Sequence, residues 1–208
     1  MSWVAGIVPR LRPFVSMLYA VLHQKGMTDK TKQRLQKGRA FSSGHFASMA
    51  RKPLLCTLEW LKGQRQGFCR RYWLSDRQAV IGFLLRTDAS TSGMGAILTT
   101  RWGAPVAWWA DIIRKEDEKR LGIEANNPAF MTEVELLAVL ISLRVWGSTY
   151  LQGQRAAFLL QMDSQSALRV ADKLASPVPT VNAIAAEVSL AMEDANLEHL
   201  EGEHFRST

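Results

Sequence analysis

Cysteine is scarce in this chain, with Cys56 and Cys69 the only two among 208 residues. They are too far apart for a CxxC site and have no matching histidine pairs. A disulfide framework and a zinc site are both excluded on this reading, and the two thiols suit the reducing interior of a cell. Long apolar runs are also missing, since none approaches the roughly 20 residues a membrane span needs, so the sequence reads as soluble. Acids are absent before Asp29, whereas Arg10, Arg12 and Lys25 precede it. That bias resembles an organelle transit peptide, but Pro9 and Pro13 interrupt any long amphipathic helix there. No internal repeat or low-complexity tract is present.

What the chain does have is apolar content and an uneven charge. Hydrophobic residues make up 47%, enough for a packed core and too many for wholesale disorder. The net charge of +7 conceals a division: Met1 to Val80 carries 15 Lys and Arg against 3 acids, or +12, and Ile81 to Thr208 carries 11 against 16, or −5. A basic leader beside an acidic, apolar domain suits a protein that holds a polyanion with one part and works on it with the other. A basic arm with no specific partner is the plainer alternative.

Within the leader, FVSMLYAVL (Phe14 to Leu22) is long enough for about two helical turns, ended by Gly26. Lys25 to Lys52 is basic and rich in Gly, Ser and Gln, as expected of a connector. Pro53 opens a helical pattern through Leu54, Leu55, Leu58 and Leu61, with Gly63 as its stop. Arg65 to Trp73, RQGFCRRYW, alternates cations with aromatics. Arg65, Arg70 and Arg71 could meet phosphates while Phe68, Tyr72 and Trp73 stack on bases. An edge strand with one apolar face fits the same pattern equally well.

Past Val80 the texture changes to short strands and helices. Leu84 to Leu98, LLRTDASTSGMGAIL, reads as a hairpin: strand Phe83 to Thr87, a small polar turn, and strand Gly95 to Thr100. Ala104 to Ala110 makes a third strand, and Asp111 to Pro128 lacks a clean period and reads as a loop or short surface helix. Glu133 to Trp146 is apolar nearly all round, which predicts a buried helix. Ala156 to Met162 is a fourth strand, Ser164 can cap a helix through Leu174, Val181 to Met192 is a further helix, and Leu197 to Leu200 starts a last strand. A hairpin group followed by α/β alternation implies a mixed sheet with helices on its faces.

Three acids hold comparable positions in that scheme. Asp88 ends the first strand, Glu135 lies in the first turn of the buried helix, and Asp163 ends the fourth strand. Each has a local alternative: Asp88 as an Asx-turn residue, Glu135 as the partner of Thr132 in a capping box, and Asp163 as a helix cap. As a set they are harder to explain away. Two carboxylates about 4 Å apart repel by about 4 kcal/mol at an effective dielectric near 20, so the cluster must protonate, pair or bind metal. Few Lys or Arg lie in these apolar surroundings, which leaves a hard divalent cation, Mg²⁺ before Ca²⁺ or Zn²⁺. Two such ions about 3.5 to 4 Å apart would activate a water and stabilise the leaving oxygen of a phosphodiester.

TDASTSGMGAIL, EVELLAVLISLRVW, LLQMDSQSAL and HLEGEH, in this order and spacing, resemble the ribonuclease H domain of retroelement reverse transcriptases. The resemblance runs from about Phe83 to the end, and SWVAGIVPRLRPFVSMLYAVL resembles the tract that follows the polymerase palm. It implies a basic connector over 1–80 and a ribonuclease H-like α/β domain over 81–208. That domain would have three antiparallel strands, then helix, strand, helix, helix and strand. It also implies Asp88, Glu135 and Asp163 as ligands of two Mg²⁺ or Mn²⁺ ions for cutting RNA in an RNA–DNA hybrid, the rest of the polyprotein as partner, and no membrane. Glu135 is preferred to Glu133 because it directly precedes the Leu-Leu-Ala block. No paired-aspartate polymerase motif is present, so no DNA synthesis is expected.

The last block departs from the family's pattern. His199 and Gly202 match, but Glu201 replaces a proline and Phe205 stands where an asparagine is usual. A fourth acid, expected in an Ala-Asp at about Thr208, is missing, so the domain reads as C-terminally truncated. His199 and His204 could face the site or the surface. The rival expectations are a non-catalytic remnant that binds nucleic acid and a scaffold that serves only protein contacts.

Overall fold

The computed structural model describes residues 11–23, 51, 55, 81–121, 124, 126–150, 156–195 and 197–205. Two compact units divide the chain, Met1–Tyr72 and Trp73–Thr208. In the first, helix α1 spans Arg12–His23 and buries Phe14 and Met17, three residues apart on one helical face, together with Leu11 just before it. The connector, the helix expected after Pro53 and the Arg65 to Trp73 segment lie, apart from Arg51 and Leu55, outside the described residues.

The second unit is built on a five-stranded mixed sheet in the order β3-β2-β1-β4-β5. Strands β1 (Ile81–Ala89), β2 (Gly93–Thr100) and β3 (Pro105–Ile112) form an antiparallel meander. Along β1 the period of two is plain: Leu85 and Thr87 are fully buried, while Arg86 and Asp88 are exposed. Gly95 on β2 allows β3 to approach closely, because a Cβ there would meet the Trp109 carbonyl oxygen at 3.0 Å.

Strand β4 (Ala156–Met162) runs parallel to β1, and β5 (Leu197–His204) runs parallel to β4. Parallel pairing needs a crossover, supplied between β1 and β4 by α3 (Met131–Tyr150) and between β4 and β5 by α4 (Gln165–Lys173) and α5 (Pro179–Asp194). Helix α3 lies over β1 and β2 with α5 packed beside it, and α4 rests on β5, where the Leu168 side chain fills the space beside Gly202. Leu136, Val139 and Leu143 of α3 meet Leu85, Leu98, Phe158 and Leu160 of the sheet in one core.

This is the expected mixed α/β order, and the segment read as a loop or short surface helix forms a short helix, α2 (Lys115–Leu121). Helix α3 begins earlier than its apolar pattern, entered through a 3₁₀ turn at Pro128–Phe130 whose cap is Asn127. Strand β5 continues past Leu200 to His204 because β4 pairs with it along its whole length. Among the described residues, no helix is long and apolar enough to cross a membrane.

Candidate active site

The three acids emerge from elements that meet at one end of the sheet. Asp88 is the next-to-last residue of β1, Asp163 follows the last residue of β4, and Glu135 is in the second turn-forming stretch of α3. Their local alternatives are filled by other residues. The turn after β1 is held by Ser90, whose Oγ accepts from the Gly93 N–H at 3.1 Å and the Ser92 N–H at 3.3 Å. Ser164 caps α4, accepting from the Ala167 N–H at 3.3 Å. Thr132 lies inside α3 rather than at its cap, and its hydroxyl pairs with that of Ser166 at 3.1 Å.

Two buried glutamates on α3 have different surroundings. Glu133 is 4% exposed and accepts a hydrogen bond from the Thr180 hydroxyl at 2.7 Å, which ties α3 to the start of α5. Glu135 is 2% exposed, and its Oε2 has no hydrogen-bond partner. Burial first, then the charges of Asp163 and Asp88, then a side-chain hydrogen bond with Asp163 push its carboxyl from 4.5 up to about 8. Glu135 therefore keeps its proton at neutral pH unless a cation takes the proton's place.

Among the described residues, no group of three or more His, Cys, Asp and Glu side chains closes to metal-holding distance. Asp163 lies close enough to hydrogen-bond the Glu135 carboxyl, and the Asp88 charge reaches it through space, since Coulomb influence falls only as the inverse of distance. The donor chemistry nevertheless suits a hard divalent cation: three carboxylates within electrostatic reach, one with a buried oxygen lacking any donor.

His204 stands beside this cluster, its Nε2 2.9 Å from the Asp163 carbonyl oxygen, on an exposed side chain. His199 lies in β5 opposite Ala157. Arg65, Phe68, Arg70, Arg71, Tyr72 and Trp73 lie outside the described residues. Sequence reasoning missed a polar row two residues before the acids: Arg86 donates to Gln161, and Gln161 donates to Glu203. Only the strand register reveals it, because Arg86 and Gln161 are far apart in sequence.

No family model and no curated protein matches this chain. Among solved structures, LC11-RNase H1, isolated from compost by a metagenomic approach, is 16% identical with a TM-score of 0.43, covering 59% of this chain and 83% of its own. A foamy viral protease-reverse transcriptase in complex with RNA/DNA hybrid is 10% identical with a TM-score of 0.41. That alignment covers 86% of this chain, which spans about a quarter of the viral protein's length, 26%.

Proposed function

We propose that the second unit is a ribonuclease H-like nuclease that hydrolyses RNA in RNA–DNA hybrids, with Asp88, Glu135 and Asp163 as its catalytic carboxylates. The observation that carries this reading is Glu135: a carboxyl held protonated first by its burial and then by the charges of Asp163 and Asp88, with one oxygen unsatisfied. A cluster of this kind costs stability when nothing binds it, and such perturbed groups concentrate at functional sites. The substrate class is supported by the four ordered sequence blocks.

Asp88, Glu135 and Asp163 would hold Mg²⁺ or Mn²⁺, and two such ions when bound would activate a water and stabilise the leaving oxygen. Glu135 must release its proton to become a ligand, and α3 presents it from the buried, core-facing part of the helix. Asp88 and Asp163 come from strand ends whose backbones the sheet holds, which leaves their side chains to close on a cation. His204, through the Asp163 carbonyl, steadies the end of β4. His199 belongs to the proposal as an accessory residue. Residues 1–80 act as the basic connector of a retroelement reverse transcriptase, and Arg65 to Trp73 contributes nucleic-acid contacts.

Cleavage of an RNA–DNA hybrid in Mg²⁺ and in Mn²⁺ is the direct assay. Asp88→Asn should lower the rate by at least about 100-fold, the upper end for loss of even outer metal partners, with an unchanged circular dichroism spectrum. Wild-type protein that binds hybrid with a steep salt dependence but never cuts it would replace the nuclease with a binding remnant.

A further inference from the structure

The ladder between β1 and β4 ends at the pair Arg86–Gln161, and the next pairing on β4 and β5 joins Gln161 to Glu203. Side chains reinforce this last rung. Arg86 donates through Nε at 3.1 Å and Nη2 at 2.7 Å to Gln161 Oε1, and Gln161 Nε2 donates to Glu203 Oε2 at 2.6 Å. The Arg86 guanidinium also lies 5.0 Å from the centre of the Phe205 ring.

The row admits one orientation of the central amide. A glutamine has an acceptor end and a donor end; the arginine demands the first and the glutamate the second. Three strands are thereby fixed side by side at one level. Beyond that level β1 and β4 have no further registered pair, and Asp88 and Asp163 each stand two residues on. Whatever separates the two strand tips is therefore set at the rung immediately below them.

We propose that Arg86 is a positioning residue: by clamping the last β1–β4 rung through Gln161, it sets the spacing at which Asp88 and Asp163 meet a divalent cation. This rests on the proposed function for the acids as metal ligands. Arg86 itself touches neither acid in the contacts described, so it acts through Gln161 and the strand register. The fork of the guanidinium matters as much as its charge, because two of its nitrogens share one acceptor.

Calorimetric titration of the full chain with Mn²⁺, alongside hybrid cleavage and thermal unfolding, tests the proposal for wild type, Arg86→Ala and Arg86→Lys. Arg86→Ala should weaken Mn²⁺ binding about 10-fold, in the range for outer partners of a metal site, and raise the metal concentration for half-maximal cleavage equally. Its KM for hybrid should stay within about twofold, and its unfolding midpoint should shift little, since exposed polar pairs contribute little to stability. Arg86→Lys should resemble Arg86→Ala, because an ammonium keeps the charge and loses the fork. Mn²⁺ binding by Arg86→Ala equal to wild type overturns the proposal alone, as does a normal Arg86→Lys or a rise in KM with unchanged metal affinity. Wild type that binds Mn²⁺ without cutting hybrid would remove the nuclease reading and leave the Arg86 comparison intact. Wild type that binds no Mn²⁺ removes both.

Discussion

The indole N–H of Trp109 on β3 donates to the Ser142 hydroxyl on α3 at 3.0 Å, and that hydroxyl donates in turn to the Ala138 carbonyl at 2.7 Å. Ser142 is fully buried, so the edge strand is fastened to the central helix by a polar link inside the core. Ser142→Ala leaves the indole N–H without its acceptor, at a cost of about 1 to 3 kcal/mol. Urea unfolding should show a lower midpoint with an unchanged slope.

Gly147 sets how closely α3 approaches the end of α5. A Cβ on it would stand 2.7 Å from the Ala195 Cβ. Gly147→Ala should gain up to about 1 kcal/mol of helix propensity but lose about 1 to 3 kcal/mol to overpacking, a net destabilisation visible in thermal unfolding. Ala195→Gly in the same chain should recover part of the loss.

Glu133 and Glu135 should separate stability from activity. Thr180→Val removes the hydroxyl that serves the buried Glu133 carboxylate, so it should destabilise by about 1 to 3 kcal/mol while cleavage per folded molecule persists. Glu135→Gln should abolish cleavage and leave the fold intact. Activity normalised to the folded fraction distinguishes the two.

Stability should depend on pH through Glu135. Its carboxyl titrates near 4.5 when unfolded and about 8 when folded, so between those values the folded chain retains a proton that the unfolded chain has lost. The contribution is complete below pH 4.5 and is lost as pH rises through 8, by on the order of a few kcal/mol. Urea midpoints in EDTA from pH 5 to 8 should fall more steeply for wild type than for Glu135→Gln. Saturating Mg²⁺ should flatten the difference, because the cation replaces the proton.

Local chemistry made much of this legible in the sequence. The switch from period two to an all-round apolar helix marked β1, β2 and α3, and Ser164 marked the start of α4. The true entry to α3 was also written there, as an Asn-Pro pair at Asn127 and Pro128, but the Thr132–Glu135 spacing fits a capping box and points to a later start. Strand β5 was hidden after Leu200 because Glu201, Glu203 and His204 are poor strand formers in isolation; pairing with β4 overrides that preference. The Arg86–Gln161–Glu203 row could not be read at all, since it exists only once three strands are in register.

The strand order carries one more consequence, concerning time. β1, β2 and β3 are joined by short turns and can zip together locally, whereas β1 meets β4 only after the long stretch containing α2 and α3 has been closed. Non-local parallel pairing is the slower kind. Asp88 is thus presented early, on a meander that needs nothing further along the chain, and Asp163 joins it late. The repulsion among the acids therefore arises only with the non-local β1–β4 contact, not with the meander that carries Asp88.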